Sequence, residues 1–281
     1  MLSELCSAHK LERRSPSWHT APMTGTAKTT STTPGGARST GTRKARSAPI
    51  QGVRQRARGE ITGAIKDEAR RQLAEVGAAR LSLRAVAREL GMVSSALYRY
   101  FPSRDDLLTA LIIDAYDALG AAAEAALAEA EAVGDSHLAR WLAVCRAVRG
   151  WALAHPHEYA LIYGSPVPGY AAPSSTVEPA SRAARVLLTV LRDAYEAGAL
   201  REPDRDVAAP DELLEEARGL AGELGLRLPP AVVVEAVAVW SQLFGLVSFE
   251  SFGQFVKVVG ARDLFFDHAA ARLADQAGLR R

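Results

Sequence analysis

The chain has 281 residues, of which 48% are hydrophobic and 23% charged, enough for one large or two modest domains with a buried core. Its two cysteines exclude a disulfide framework and a zinc–cysteine site, which favours a reducing compartment. The richest apolar stretch, AVVVEAVAVW, is interrupted by Glu235, and the first residues lack an apolar core of signal-peptide length. We therefore expect a soluble cytoplasmic protein without a membrane partner.

Charge is distributed unevenly along the chain, although the formal net charge is only +2. Residues 1–54 carry +7 and residues 55–108 carry +3, which leaves −8 for the remainder. A basic front half suits a polyanion such as nucleic acid, and an acidic rear half limits indiscriminate coating of it.

Residues 1–54 are rich in Ser, Thr, Pro, Gly and basic side chains and show no apolar period. Such a segment cannot bury enough surface to offset its ordering entropy, so the composition predicts a disordered basic tail. The tail could track DNA electrostatically, or it could be inert.

From Arg56 onward, the sequence predicts helices in close succession. The first keeps an apolar helical period and ends near Gly77. The second occupies residues 82–90 with Ser82 as its N-cap, and Gly91 suits the left-handed conformation of a tight turn. Two short helices joined by such a turn, behind a packing helix, predict a helix-turn-helix.

The third predicted helix, residues 94–100, ends before Pro102 because proline disfavours helical conformation in the preceding residue. At about 100° per residue, Leu97, Phe101 and Ser94 share an inward face. The second helix would meet this face through Val86, Ala87 and Leu90.

The opposite face of the third helix carries Ser95, Ala96 and Arg99, with Tyr98 and Tyr100 on either flank. A helix can enter the major groove of DNA, where an arginine makes bidentate contacts to guanine and phenol groups reach phosphates. Two blander interpretations remain open: the tyrosines are packing residues, and Arg99 is a solubilising charge.

The remaining chain also has the periodicity of helices. Ser103 and Asp106 form a capping-box pattern at the start of a fourth helix, residues 103–133. No stretch alternates with a period of two long enough for a strand, so we predict an all-α fold. Further helices are predicted at 136–154, 156–164, 178–198, 210–224, 230–250 and 262–277.

The segment LSLRAVARELGMVSSALYRYFPSRDDLL, residues 81–108, combines an apolar-Ala-x-x-x-Gly turn with an apolar-Tyr-x-x-Phe helix. With these features, residues 56–108 resemble the DNA-binding domain of the TetR family of bacterial transcriptional regulators. The resemblance implies an N-terminal three-helix DNA-binding domain over residues 55–108 and a C-terminal helical domain over residues 109–281.

Residue by residue, the resemblance implies that Tyr98 and Tyr100 contact the DNA backbone and that Ser95 and Arg99 face the groove. Arg104 stands where the family usually has a phosphate-binding lysine. The predicted DNA-contacting set is Arg56, Arg58, Ser94, Ser95, Ala96, Tyr98, Arg99, Tyr100 and Arg104.

Two further points concern helix starts. Arg54, Arg56 and Arg58 precede the first predicted helix, whose N-terminal partial positive charge favours phosphate, although Arg54 could simply belong to the tail. The family's Ser or Thr cap of the third helix corresponds to Val93 here, and Ser94 is the alternative cap.

The rear half resembles a TetR C-terminal subclass through HPHEYALIYG and a late W-x-x-x-F-G, where Phe244 replaces the subclass's histidine. This resemblance implies a homodimer that binds a small-molecule effector. The apolar stripes of helices 178–198 and 230–250 are either dimer seam or intramolecular core, and the resemblance favours the seam. The predicted dimer residues are Val186, Leu187, Val190, Leu191, Ala194, Val233, Val237 and Phe244.

An effector pocket would have apolar walls with a few polar groups. Aromatic and sulfur side chains of the rear half are candidates, although each alone could equally be core. They predict a fairly apolar ligand. The pocket candidates are Trp141, Cys145, Trp151, Tyr159, Tyr163 and Trp240.

The same half has no catalytic or metal-binding motif in its sequence. His155, His157 and Glu158 lie across a proline turn without an HExxH helix, so we predict neither a metal nor a cofactor. GSPVPG is not a nucleophile elbow, and no phosphate-binding loop is present in the sequence. We therefore predict that the protein is not an enzyme.

The sequence thus predicts a ligand-responsive DNA-binding regulator, a repressor that reads a palindromic operator in double-stranded DNA as a homodimer through residues 94–100. It would be a bacterial cytoplasmic protein, associated with the nucleoid when bound to DNA. The alternative is an architectural or interaction protein that uses its basic tail to bind DNA without sequence preference.

Overall fold

The computed structural model describes residues 47–201 and 209–279, so residues 1–46 of the predicted tail lie outside the described residues. Within the described ranges the fold is all-α, as predicted, and the only β-contact there is an isolated bridge between Leu200 and Leu279. The helices are α1 Ser47–Val76, α2 Leu83–Glu89, α3 Ser94–Leu97, α4 Arg104–Ala132, α5 His137–Ala154, α6 Pro156–Tyr163, α7 Val177–Glu196, α8 Asp211–Glu223, α9 Pro230–Ser251 and α10 Arg262–Gln276.

Helix α1 begins earlier than the sequence predicts. It starts at Ser47, so the last part of the segment predicted to be disordered is helical. The chain forms two compact units, and one boundary between them falls at Gly63 and Ala64. In the unit that ends at Gly63, the described residues from Gly52 to Ile61 are exposed.

The turn between α2 and α3 has the geometry that the sequence predicts. The Ser82 side chain accepts a hydrogen bond from the Ala85 amide, which caps α2. Gly91 has a φ of 65°, its amide donates to the Arg88 carbonyl, and the next amide reaches Ala87 O at 2.8 Å. This pair of bonds is a Schellman motif, which needs a left-handed residue at its centre.

A small apolar core lies beneath this turn. Val86 and Ala87 of α2 are buried with Leu97 and Phe101, whereas Leu90 is half-buried at the edge. We call this cluster the head core. Its buried members are Ile65, Ala69, Leu73, Leu81, Leu83, Val86, Ala87, Leu97, Phe101, Leu107, Leu108 and Leu111.

Ser103 caps α4, as its spacing to Asp106 predicts: its Oγ accepts from the Asp106 amide and donates to the Asp106 carboxylate at 2.7 Å. Helix α4 then runs without a break from one core to the other. Leu111 belongs to the head core and Ala115 to the core of the rear bundle. The predicted boundary at residue 108 therefore lies inside a continuous helix.

The rear bundle packs α4, α5, α7, α9 and α10 around a larger core. Trp141 is fully buried, and its indole nitrogen donates to Ala270 O at 3.0 Å, which ties α5 to α10. A second tie is ionic: Arg149 donates to both carboxylate oxygens of the buried Glu250 at 2.7 and 2.8 Å.

Candidate nucleic-acid interface and ligand cleft

The reading helix α3 has only four helical residues, Ser94–Leu97. Val93 is its N-cap and provides no side-chain hydrogen bond, so Ser94 is the first helical residue and not the cap. The prediction of a helix to residue 100 was too long. Backbone turns continue the coil, since the Phe101 amide donates to Leu97 O at 3.1 Å.

Two of the three side chains predicted to face inward do so. Leu97 is 0% exposed and Phe101 is 6% exposed, and both belong to the head core. Ser94, however, is exposed. The angular argument assumes neighbours along a longer helix, whereas Ser94 lies at the open N-terminal end of a single turn. Its exposure leaves it available for the predicted DNA contact.

The outward face of α3 and of the turns after it carries Ser95 and Arg99, both exposed, beside the half-buried Ala96. Among the described residues, no acceptor engages the Arg99 guanidinium. The two tyrosines differ, because Tyr98 is 41% exposed while Tyr100 is half-buried and packs against the head core. The packing interpretation therefore applies in part to Tyr100.

Arg104 makes contacts within the chain. Its guanidinium donates to the carbonyl oxygens of Ala78 at 2.8 Å and Ala79 at 3.3 Å, so it ties α4 to the short turn after α1. A phosphate contact would compete with these bonds. Arg56 and Arg58 are exposed along α1, but the helix begins at Ser47, so they lie well inside it and not at its N-terminus as predicted.

Sequence reasoning passed over two arginines of α2. Arg84 and Arg88 are exposed, and Arg88 has a side chain that is 76% accessible. They lie four residues apart on the polar face of SLRAVAREL, so helical spacing would have placed them on one surface. Both belong with Arg99 as candidate DNA contacts.

A largely apolar cleft opens between α7, α8 and α9, with a volume of about 90 Å³. Of the six predicted pocket residues, Trp141 and Trp240 line it. Leu188 of α7, Leu220 of α8 and Arg185 of α7 are also among its lining residues. Sequence patterns did not reveal this cleft, because it exists only where three amphipathic helices meet.

The other predicted pocket residues lie in the bundle core. Cys145 and Tyr159 are fully buried, Trp151 is nearly so, and Tyr163 is half-buried. Burial raises the pKa of the Cys145 thiol well above its usual range and that of Tyr159 to about 12. The Tyr159 hydroxyl donates to Phe244 O at 3.2 Å, so it fastens α6 to α9 and does not line the cleft.

The predicted dimer seam is corrected by burial within a single chain. All five α7 residues lie in the bundle core, covered by α4, α5 and α9, so none can reach a partner. Phe244 and Val233 on α9 are also buried, whereas Val237 is 43% exposed at the edge of the cleft. The buried α7 residues are Val186, Leu187, Val190, Leu191 and Ala194.

Another apolar surface remains exposed at the end of α9, in the following turn and at the start of α10. Its largest exposures are 74% at Val258 and at Leu264 and 56% at Phe249. The Phe255 ring contacts those of Phe249 and Phe265, with centroids 5.9 and 5.5 Å apart. We call this surface the phenylalanine patch; its members are Phe249, Phe252, Phe255, Val256, Val258, Leu264 and Phe265.

Helix α9 is long and apolar enough, by length and composition alone, to cross a membrane, contrary to the expectation from Glu235. It packs here as a bundle helix, and Glu235 accepts a hydrogen bond from Gln276 on α10 at 3.2 Å. Only 39% of its most apolar window is buried within the chain. Most of its other residues are half-buried, and its exposed apolar side chains are Val237 and Phe249.

The His-Pro-His segment joins α5 to α6, and His155 contacts the last turn of α5. His155 ends α5, its ring stacks on Trp151 at a centroid distance of 5.1 Å, and its Nδ1 lies 3.0 Å from Trp151 O. In the described ranges, no three His, Cys, Asp or Glu side chains come together as a metal site.

Comparison with known proteins identifies the family of the chain. Residues 65–111 match the model of bacterial regulatory proteins of the tetR family, and residues 141–273 match the tetracyclin repressor-like C-terminal domain. HTH-type transcriptional regulator Rv1816 of Mycobacterium tuberculosis is 42% identical over 205 residues, which cover 73% of this chain and 86% of that protein. A relative from Mycobacterium bovis, Mb1846, has the same identity and coverage.

Solved structures agree. The regulatory protein SCO4313 is 33% identical with a TM-score of 0.62 over 79% of this chain and 98% of that chain. A tetR-family protein from Rhodococcus RHA1, 14% identical, shares the fold with a TM-score of 0.54 over 78% and 98% of the two chains. The chain is therefore a helix-turn-helix transcriptional regulator, not an enzyme, and belongs to the TetR family.

Proposed function

We propose that this protein is a ligand-responsive transcriptional repressor that reads a palindromic operator as a homodimer. It works in the bacterial cytoplasm and is associated with the nucleoid when bound to DNA. One observation carries the proposal: Ser95 on α3 and Arg99 in the turns that follow it are exposed, whereas Leu97 and Phe101 on the opposite side are buried in the head core.

The geometry of α3 suits direct readout. The major groove is about 12 Å wide and admits one helix, and the commonest specific contact there is an arginine on the O6 and N7 atoms of guanine. Arg99 would make this contact, while Tyr98 donates to a phosphate beside the groove. Arg84 and Arg88 on α2 add positive charge for backbone contacts.

The test begins with selection of bound fragments from random duplex DNA, which gives the operator and its half-site spacing. Arg99→Ala should then weaken operator binding by about 1–3 kcal/mol and relax preference at one base pair. Arg218→Ala is the charge-matched control, because Arg218 is exposed on α8 and pairs with Glu215 of its own helix. Equal weakening on every sequence would reduce Arg99 to a phosphate contact.

The competing function is architectural binding through the basic tail. A nonspecific binder loses affinity steeply with salt and ignores sequence, whereas a reader keeps a specificity ratio over random DNA. Titration of operator and scrambled duplexes at two salt concentrations separates the two. A ratio near one at both would contradict the repressor proposal.

For the effector we propose the cleft between α7, α8 and α9. Its walls are almost wholly apolar, and Trp141 and Trp240 contribute flat surfaces, so the ligand class it suits is small and apolar. The dimer would exist in two forms that differ in the spacing of its two DNA-binding domains. A ligand can shift the equilibrium between these forms only by as much as it binds one form more tightly than the other.

For the homodimer we propose that the phenylalanine patch seats a second copy of this chain. The patch continues the incompletely covered α9, and charges of both signs border it, including Lys257, Arg262 and Asp263. A surface that is apolar at its centre and mixed in charge at its rim can pair with itself across a two-fold axis. A dimer spans two half-sites about 34 Å apart, which a single four-residue helix cannot do.

A further inference from the structure

A short segment of the rear domain packs directly on the head core. Residues 164–170, which we call the strap, leave α6 and pass across α4. Val167 and Tyr170 of the strap pack against the head core together with Leu161 of α6. The Tyr170 hydroxyl lies 2.9 Å from Thr109 Oγ on α4, within hydrogen-bonding distance.

The strap is stiff because of its turn. Val167, Pro168, Gly169 and Tyr170 form a β-turn in which the Tyr170 amide donates to Val167 O at 3.1 Å. Proline stands at the second position, and Gly169 at the third has a φ of 77°, the pattern of a type II turn. Both contact residues are thus held at fixed positions on either side of one rigid turn.

The other end of the strap connects to the cleft through rings. Tyr163, just before the strap, packs on Phe244 of α9 with centroids 4.6 Å apart and edge-on against Tyr116 of α4 at 6.0 Å. Phe244 in turn contacts Trp240 at 5.8 Å, and Trp240 lines the cleft. Packed rings therefore run from the cleft wall to the residue before the strap.

We propose that the strap is the coupling element of this regulator: occupancy of the cleft shifts Trp240 and Phe244, and the strap transmits that shift to the reading head through Tyr170 and Thr109. The inference rests on the proposed ligand response and names its route. Packed side chains couple two sites only if they have two arrangements whose balance both sites affect. Here the two sites are the cleft and the DNA-binding surface, and the coupling energy is the change in DNA-binding free energy when the cleft is filled.

Because the ligand is unidentified, the test fills part of the cleft with a larger side chain of the protein itself. Ala184 is half-buried and lines the cleft, so Ala184→Leu places extra carbon atoms there. With the full chain and the selected operator, Ala184→Leu should change the operator Kd by about fivefold or more, the lower end of allosteric coupling. In a Tyr170→Phe background, which removes one hydroxyl, the same change should fall below about twofold.

Two further variants keep the result interpretable. Thr109→Val removes the same hydrogen bond from the α4 side and should reduce the coupling as Tyr170→Phe does, with no further loss in the double variant. If Tyr170→Phe fails to fold, Thr109→Val serves in its place. Tyr195→Phe, at an exposed tyrosine near the end of α7, should leave the coupling unchanged.

The outcomes distinguish failure of the strap as the coupling element from failure of the cleft as the effector site. An Ala184→Leu effect that is equal in the wild-type, Tyr170→Phe and Thr109→Val backgrounds would overturn the strap and leave the ligand response intact. No effect of Ala184→Leu in the otherwise wild-type protein would overturn the cleft as effector site, and the strap with it.

Discussion

Helices α7 and α9 carry similar apolar stripes, yet the chain treats them differently. The α7 stripe is almost completely buried among α4, α5 and α9, and Val190 at its centre is 0% exposed. Helix α9 buries Leu243 and Val247 on one face but leaves Phe249, which lies on the opposite face, 56% exposed. An apolar helix face therefore indicates that a cover is needed, and only the packed fold shows whether the chain or a partner provides it.

The largest expected effect tests the buried side of this comparison. Leu191→Ala removes a side chain that is 1% exposed, so unfolding free energy should fall by about 2–5 kcal/mol in urea titrations at fixed protein concentration. Phe249→Ala is the matched truncation on α9. If the buried face of α7 and the exposed face of α9 differ as described, Phe249→Ala costs much less in chain stability; equal losses would contradict the distinction.

The exposed face of α9 is tested by measuring how strongly the protein dimerises. Phe249→Asp puts a charge at the phenylalanine patch, where pairing with a second copy would bury it without a partner, so dimer Kd should rise tenfold or more, about 1.4 kcal/mol. Sedimentation velocity over a concentration series measures this. Tyr195→Asp, a comparably exposed aromatic outside the patch, should leave the dimer intact. An unchanged dimer in Phe249→Asp would remove the patch as the interface.

The smallest effect concerns how α10, which carries part of the patch, is held to α5. Arg146 donates to both oxygens of Asp267 at 2.8 and 3.0 Å, and these hydrogen bonds lower the Asp267 pKa. A lowered folded-state pKa gives stability that is present above the unfolded pKa and is lost as pH falls through the folded one.

Asp267→Asn should therefore cost under about 1 kcal/mol at neutral pH, because both side chains are about half exposed and solvent screens the pair. The difference from wild type in urea unfolding should fade as the pH falls below about 4. A loss that persists unchanged at low pH would mean that shape, and not charge, matters at this position.

Local signals in the sequence predicted most of the helices well. Ser82, Gly91 and Ser103 specify caps and a turn through bonds between near neighbours, so their effects are legible without the fold. The predicted end of α3 at residue 100 was wrong. The helical spacing of apolar residues continues through Phe101, whereas the α-helix itself ends at Leu97.

Contacts distant in sequence were beyond such signals. The engagement of Arg104 with Ala78 joins residues 26 positions apart, and the cleft requires α7, α8 and α9 together. Likewise, nothing local in residues 164–170 indicates that Val167 and Tyr170 pack against the head core.

The seating of Val167 and Tyr170 has a consequence for building hybrid regulators. A reading head cut at the end of α4 and fused to another sensor would leave an apolar socket open to water, and its four-residue α3 has no side-chain cap to hold it as an isolated turn. Functional chimeras of this protein would have to carry residues 161–170 with the head, because the two halves share that socket.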